Sequence, residues 1–230
     1  MIMNKPLRFG HRGAAGHLPE NTIKSFLGAI DMHVDMIELD VHQCRTGEIV
    51  VMHDDTVDRT TNGHGRIAEL ALEELRSLDA GQEERIPTLE EVLDAVGARV
   101  GVVVELKERV AIAGTADIIK RYVAEHGWTY GQFFVTAFDH YLLQTFHALC
   151  PEVRLGAILA GIPIGYAEFG ERLGAASVNM AYPFLTKEFI DDAHGRGLQV
   201  FAWPVDDPQD IDRMRDLGVD GIFSNFPDRI

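Results

Sequence analysis

The sequence predicts an α/β fold: a TIM-type (β/α)8 barrel with a small insertion after the second strand and a reduced closing helix. Three observations predict it. Short apolar runs of strand character alternate with amphipathic segments, and a repeated β-then-α order implies a parallel sheet covered by helices. The 230 residues suit one domain, because a single α/β barrel commonly runs to about 250. Nine strand candidates stand in the chain, and they fill eight barrel positions if the third pairs locally with the second.

The strand candidates are Leu7–His11, Met36–His42, Ile49–His53, Gly101–Lys107, Phe133–Phe138, Arg154–Leu159, Ser177–Tyr182, Gln199–Val205 and Gly221–Asn225. Asn21-Thr22 supplies a cap for the first helix, which turns Phe26, Ala29 and Ile30 inward. Thr46-Gly47-Glu48 makes the turn between the second and third candidates. Asp54–Arg85 is polar and Gly-rich and interrupts the alternation, so it reads as an excursion within a single domain spanning 1–230. Thr88-Leu89-Glu90-Glu91, after Pro87, is a capped helix start ahead of Val92, Leu93 and Val96. Helical patterns cover Thr115–His126, His140–Leu149, Thr186–Arg196 and Asp207–Leu217, with Gly127, Gly197 and Gly218 where C-caps fall. Only Phe226–Ile230 follows the last strand, so the closing helix shrinks to a turn. The apolar flank this would leave suits a homodimer partner.

Composition narrows the function. The formal charge is −15, from 21 basic and 36 acidic residues, so the chain as a whole repels nucleic acid and anionic membranes. An anionic substrate then needs a local basic or metallic site. Cys44 and Cys150, the two cysteines, make neither a disulfide scaffold nor a zinc motif. Met1 to Phe9 has no charged-then-apolar export pattern, and no apolar run approaches the ~18 residues of a membrane span. A cytoplasmic protein without stable membrane insertion is the expectation.

Strand alternation places the candidate chemistry. On Met36–His42, Glu38, Asp40 and His42 share one face and Ile37, Leu39 and Val41 the other. The two carboxylates then stand roughly 7 Å apart, which is costly for buried like charges unless a cation lies between them. Gly101–Lys107 repeats the pattern, with Val103, Glu105 and Lys107 on one face. Barrel enzymes place their sites at the C-terminal ends of strands. Alone, each carboxylate reads as a rim ion pair; together, Glu38, Asp40 and Glu105 read as a hard oxygen site for Mg²⁺ or Ca²⁺. His11 and His53 end two strand candidates and suit proton transfer near neutral pH. Arg12 offers a planar fork and Lys107 a point charge for phosphate, or either pairs structurally. Gly10 and Gly13 would let the backbone turn and approach a ligand.

These residues lie in a series of motifs: His11-Arg12-Gly13, Pro19-Glu20-Asn21-Thr22, Ile37-Glu38-Leu39-Asp40-Val41, Val50-Val51-Met52-His53-Asp54, and Asp58-Arg59-Thr60-Thr61 with Gly63 and Gly65. Leu78-Asp79-Ala80-Gly81, Ile86–Leu93, Val104-Glu105-Leu106-Lys107, Val200-Phe201-Ala202-Trp203 and Gly218–Ile222 continue it. In that order, over nearly the whole chain, the sequence resembles the glycerophosphodiester phosphodiesterase family. The resemblance implies a metal-binding hydrolase of lipid and glycerol metabolism, on a (β/α)8 barrel, that releases sn-glycerol 3-phosphate and an alcohol from glycerophosphodiesters. It implies His11 and His53 as the acid/base pair, Glu38, Asp40 and Glu105 as metal ligands, Arg12 and Lys107 as phosphate contacts, and Trp203 as a wall of the substrate pocket. It also implies attack on phosphorus by the neighbouring glycerol hydroxyl, giving a cyclic phosphate that water opens.

The sequence departs from the family pattern at several points. Cys44-Arg45-Thr46-Gly47-Glu48 replaces an Asp-Gly turn, and Ala137-Phe138 replaces Ser-Phe. Pro204-Val205-Asp206 stands where Thr-Val-Asn is common, and Ser224-Asn225-Phe226-Pro227 where Thr-Asp-x-Pro is common. Asp206, if turned inward, would be an acid at the mouth. His17 and Glu20 fall in the first loop, His17 as a candidate substrate contact and Glu20, with Asn21, as loop and cap residues. Two alternatives differ from the leading reading. Phospholipase D-type hydrolysis of lysophospholipids would need an apolar mouth, and the sequence shows no long apolar loop at a strand end beyond what Phe169 or Phe184 contribute. A non-catalytic phosphodiester-binding barrel would be expected to lack one of the motif residues, and all are present.

Overall fold

A computed structural model describes residues 5–230; residues 1–4, the start of the segment read for an export pattern, lie outside the described residues. Eight strands form a closed parallel ring: β1 (Leu7–Gly10), β2 (Met36–Gln43), β4 (Gly101–Leu106), β5 (Phe133–Ala137), β6 (Arg154–Leu159), β7 (Ser177–Ala181), β8 (Gln199–Trp203) and β9 (Gly221–Ser224). Pairing of β1 with both β2 and β9 closes it, with Phe9 opposite Met36 on one side and Phe223 on the other. The remaining strand, β3 (Ile49–Val51), lies antiparallel against β2 outside the ring, with Val41 opposite Val51. The turn that joins them carries Gly47 at φ +105°.

Period-two alternation sorts the side chains. Ile37, Leu39 and Val41 of β2 and Val102, Val104 and Leu106 of β4 pack outward against the helices. Inside, Phe9, Met36, Val103, Phe134, Phe201 and Phe223 form an apolar floor, with the rings of Phe9 and Phe223 stacked at 4.3 Å. Each such buried side chain contributes roughly 1.5–3 kcal/mol, which makes the floor a stiff base for what stands above it.

The helices are α1 (Ile23–Asp31), α2 (Leu72–Arg76), α3 (Leu89–Val96), α4 (Ala111–Glu125), α5 (His140–Leu149), α6 (Glu168–Leu173), α7 (Lys187–Gly195) and α8 (Pro208–Leu217). Thr88 and Glu91 form the expected capping box on α3, and Thr22 caps α1. α4 starts four residues before the predicted Thr115, because Val110 at its N-cap makes no side-chain bond that would mark the start. α6 was not anticipated: it has six residues and no capping side chain, and its Gly170 sits where a Cβ would press on Val178.

Within the 54–85 excursion, Val57, Ile67, Leu75 and Ala80 pack with Val50 and Met52 into a small core beside β3. After β9 the chain makes one 3-10 turn, Pro227–Arg229, in place of a closing helix. Ile230 turns inward beside Val205, Ile211 and Ile222, and Arg8 Nη2 donates to Pro227 O at 2.7 Å. Among the described residues no helix is long and apolar enough to cross a membrane.

Candidate active site

The register of β2 against β4 sets Asp40 opposite Glu105, with Glu38 one inward position earlier. Carboxylate oxygens of Glu38, Asp40 and Glu105 lie within 4.8 Å of one another, and all three residues are buried. Lys107 Nζ stands 2.9 Å from Asp40 Oδ1 and 2.5 Å from Glu105 Oε1. Arg12 Nε lies 3.5 Å from Asp40 Oδ2, and the Arg12 backbone N–H donates to Glu38 Oε2 at 2.8 Å.

Two cations against three carboxylates leave the cluster short of positive charge. Burial would push the Asp40 carboxyl up, but Lys107 and then Arg12 overcome it and hold it below the ordinary range. At Glu38 the opposing Arg12 charge and backbone N–H are outweighed. Burial, followed by the Asp40 and Glu105 charges, raises it well above the ordinary range. Burial and Asp40 push Glu105 up to about 7. Three clustered oxygen donors, of which Glu38 and Glu105 resist ionising without a cation, fit a hard divalent cation such as Mg²⁺ or Ca²⁺.

The first loop is built around this cluster. Arg12 at φ +52° and Asn21 at φ +59° are left-handed, an uncommon conformation for residues other than glycine. The Asn21 N–H donates to Arg12 O at 3.1 Å, joining the two. Asn21 was expected as a cap residue, but Thr22 Oγ1 does the capping, and Asn21 Nδ2 donates to Asp40 Oδ2 at 2.8 Å. Gly13 makes the expected turn at φ +83°, and a Cβ there would meet Ser25 Oγ at 2.4 Å, so the glycine also lets the loop pack on α1.

Each histidine has its own partner. His11 Nδ1 lies 2.8 Å from Asn225 Oδ1, and His53 Nδ1 lies 2.6 Å from Asp54 Oδ1. Burial, then the Arg12 charge, lowers the His11 imidazole to about 4. Arg59 donates to Asp54 Oδ2 at 2.7 Å, and that bond holds Asp54 far below the ordinary carboxylate range. Arg59 also donates to both oxygens of Glu20, at 2.7 and 2.9 Å, and Glu20 accepts from Arg12 Nη1 at 2.9 Å. Glu20, read as a loop residue, thus links His53 through Asp54 and Arg59 to the arginine beside the carboxylates.

These groups gather at one pocket. His11, Arg12, Glu38, His53 and Glu105 line it together with Phe138, Ile158, Trp203 and Phe223. Asp40 and Lys107 stand behind that lining, joined to it by the Lys107–Glu105 pair. The structure therefore brings all eight predicted site residues to one place. Trp203 Nε1 donates to Asn179 O at 2.8 Å, and Phe138 meets the indole edge-on at 5.4 Å, so the apolar wall is fixed.

Other candidates fall elsewhere. His17 pairs with Asp228 at 2.8 Å in the closing turn. His42 is buried and turns Nε2 to His53 O at 3.2 Å. His64 is exposed beside Asp58, and His140 bonds Ile158 O and stacks on Phe169. Asp206 is no free acid at the mouth, because its carboxylate is engaged by Ser224 and Asn225. Asn179 and Thr136, both pocket-lining, were missed; the alternation of Ser177 and Asn179 with Val178 and Met180 was the available signal of a polar inward face.

Residues 11–229 match the model of the glycerophosphoryl diester phosphodiesterase family. A glycerophosphodiester phosphodiesterase from Caldanaerobacter subterraneus subsp. tengcongensis is 33% identical, covering 98% of this chain and 96% of its own. One from Bacillus altitudinis is also 33% identical, covering 96% of this chain and 95% of its own. The solved structure of a phosphodiesterase from Oleispira antarctica, in complex with the product sn-glycerol-3-phosphate, superposes with a TM-score of 0.89 at 31% identity, covering 98% of this chain and 95% of that one.

Proposed function

The chain belongs to the glycerophosphoryl diester phosphodiesterase family, and from that premise we propose that it hydrolyses glycerophosphodiesters to sn-glycerol 3-phosphate and an alcohol, using a divalent metal and two histidines. One observation carries the reading: His11 and His53 open onto the same pocket as three buried carboxylates whose oxygens lie within 4.8 Å. Glu38, Asp40 and Glu105 would hold the metal. When bound, the ion neutralises phosphoryl charge and lowers the proton affinity of a nearby hydroxyl.

The chain's own residues supply the rest. Arg12 and Lys107 set positive charge against the phosphate, and Trp203 positions the glycerol side. His11, neutral at physiological pH, takes the proton of the attacking glycerol hydroxyl. His53, backed by the Asp54 carboxylate, donates a proton to the departing alcohol. Water opens the cyclic phosphate with the two roles reversed. Action in the cytoplasm on small diesters, without insertion into a membrane, is part of the same proposal.

A second reading draws on exposed apolar side chains that the sequence did not single out. Phe138 is 50% exposed at the pocket edge, and the loop after the neighbouring β6 exposes Ile162 and Ile164. Exposed apolar side chains of this kind suit the acyl chain of a lysophospholipid. Purified protein with Mg²⁺ is given glycerophosphocholine or long-chain lysophosphatidylcholine, and choline release is compared. Faster turnover of the deacylated diester supports the first reading, and faster turnover of the lysolipid the second. Turnover of neither by folded, metal-loaded protein would refute both.

A further inference from the structure

Asp206 follows β8, Asn225 follows β9, and together they leave His11 little choice of tautomer. A carboxylate can only accept hydrogen bonds. Asp206 Oδ1 accepts from Ser224 Oγ at 2.9 Å and from the Asn225 backbone N–H at 2.8 Å, and its Oδ2 accepts from Asn225 Nδ2 at 2.7 Å. Ser224 Oγ accepts the Phe226 N–H at 3.0 Å, so its own hydrogen is free for Asp206. The Asp206 main chain is fixed as well, because Arg229 Nη1 donates to its carbonyl at 2.9 Å.

The Asn225 amide therefore has one orientation, with nitrogen toward Asp206 and oxygen toward His11. That oxygen is 2.8 Å from His11 Nδ1 and can only accept, so Nδ1 carries the ring hydrogen and Nε2 keeps its lone pair. We propose that Asp206 is a positioning residue: by orienting the Asn225 amide it holds His11 in the Nδ1–H tautomer, with Nε2 free to accept the substrate proton. The proposal rests on the reading of His11 as the catalytic base.

The test combines ring ¹⁵N NMR of His11 with turnover of glycerophosphocholine in Mg²⁺. Wild-type His11 is expected as Nδ1–H. Asp206→Ala frees the amide to flip, so the His11 signals shift toward Nε2–H and kcat falls about tenfold or more with KM little changed. The exchange D206N/N225D restores the ordered pair, since an amide at 206 donates to a carboxylate at 225 that still accepts from Nδ1. It is expected to recover the wild-type tautomer and most of kcat, while Asp206→Asn alone does not. A wild-type His11 found as Nε2–H would overturn the proposal even if every variant misfolds. So would an unchanged tautomer in folded Asp206→Ala, or a double exchange no better than the single one. The tautomer is read without turnover, so failure of the phosphodiesterase reading is distinguishable from failure of this one.

Discussion

His53 faces a carboxylate, with its Nδ1 2.6 Å from Asp54 Oδ1, whereas His11 faces a neutral amide. Two imidazoles in one pocket are thus held by partners of different charge, a means of separating an acid from a base. Asp54→Ala should remove the counter-charge behind His53 and lower kcat by about 100-fold, within the range that general acid–base catalysis supplies. Steady-state kinetics check this; an unchanged kcat would make Asp54 a partner of Arg59 alone.

His11→Ala and His53→Ala should each lower kcat by roughly 100- to 10,000-fold. Both side chains line the pocket and are only partly buried, so the variants should keep the wild-type melting temperature within a few degrees. Kinetics and thermal unfolding on the same samples separate lost chemistry from lost fold.

The lowered His11 gives the acid side of the pH response its sign. Protonation disables the base, so kcat/KM should fall about tenfold per unit as pH drops below about 4, provided the protein is still folded there. Stability carries the same sign. The folded value lies below the unfolded 6.5, so between about 4 and 6.5 the unfolded chain binds more protons. Stability from this group is complete above 6.5 and is lost as pH falls toward 4. A His11→Asn variant should therefore lose less melting temperature than wild type over that window.

Glu38 has carboxylate oxygens of Asp40 and Glu105 within 4.8 Å, so its removal should have opposite effects with and without metal. Glu38→Gln keeps an acceptor for the Arg12 N–H but removes a buried charge that burial, Asp40 and Glu105 oppose. In chelator at pH 8 the variant should melt higher than wild type, by about 2–4 °C for each kcal/mol gained. Added Mg²⁺ should raise its melting point less than wild type's, because one ligand is gone. Thermal scans with and without metal measure both; equal metal-induced shifts would remove Glu38 from the ligand set.

Period-two patterning made the barrel and its carboxylates readable in the sequence. Glu38-x-Asp40 and Glu105-x-Lys107 stand out because apolar residues occupy the other face of both strands. Features that join distant loops were not readable. The His11–Asn225 bond spans 214 positions, and the donors that engage Asp206 come from Ser224 and Asn225 on another strand end. α6 was hidden by its length and missing cap. Glu20 and Asn21 were placed in the right loop but given local tasks, since nothing in sequence tells which strand a loop side chain will reach.

The most direct test of the account is release of sn-glycerol 3-phosphate from glycerophosphocholine by purified protein, first with chelator and then with each divalent ion restored. The account predicts that product formation stops in chelator and returns with Mg²⁺ or Ca²⁺. An undiminished rate after complete chelation would contradict it, because Glu38, Asp40 and Glu105 would then be gathered for something other than a catalytic metal.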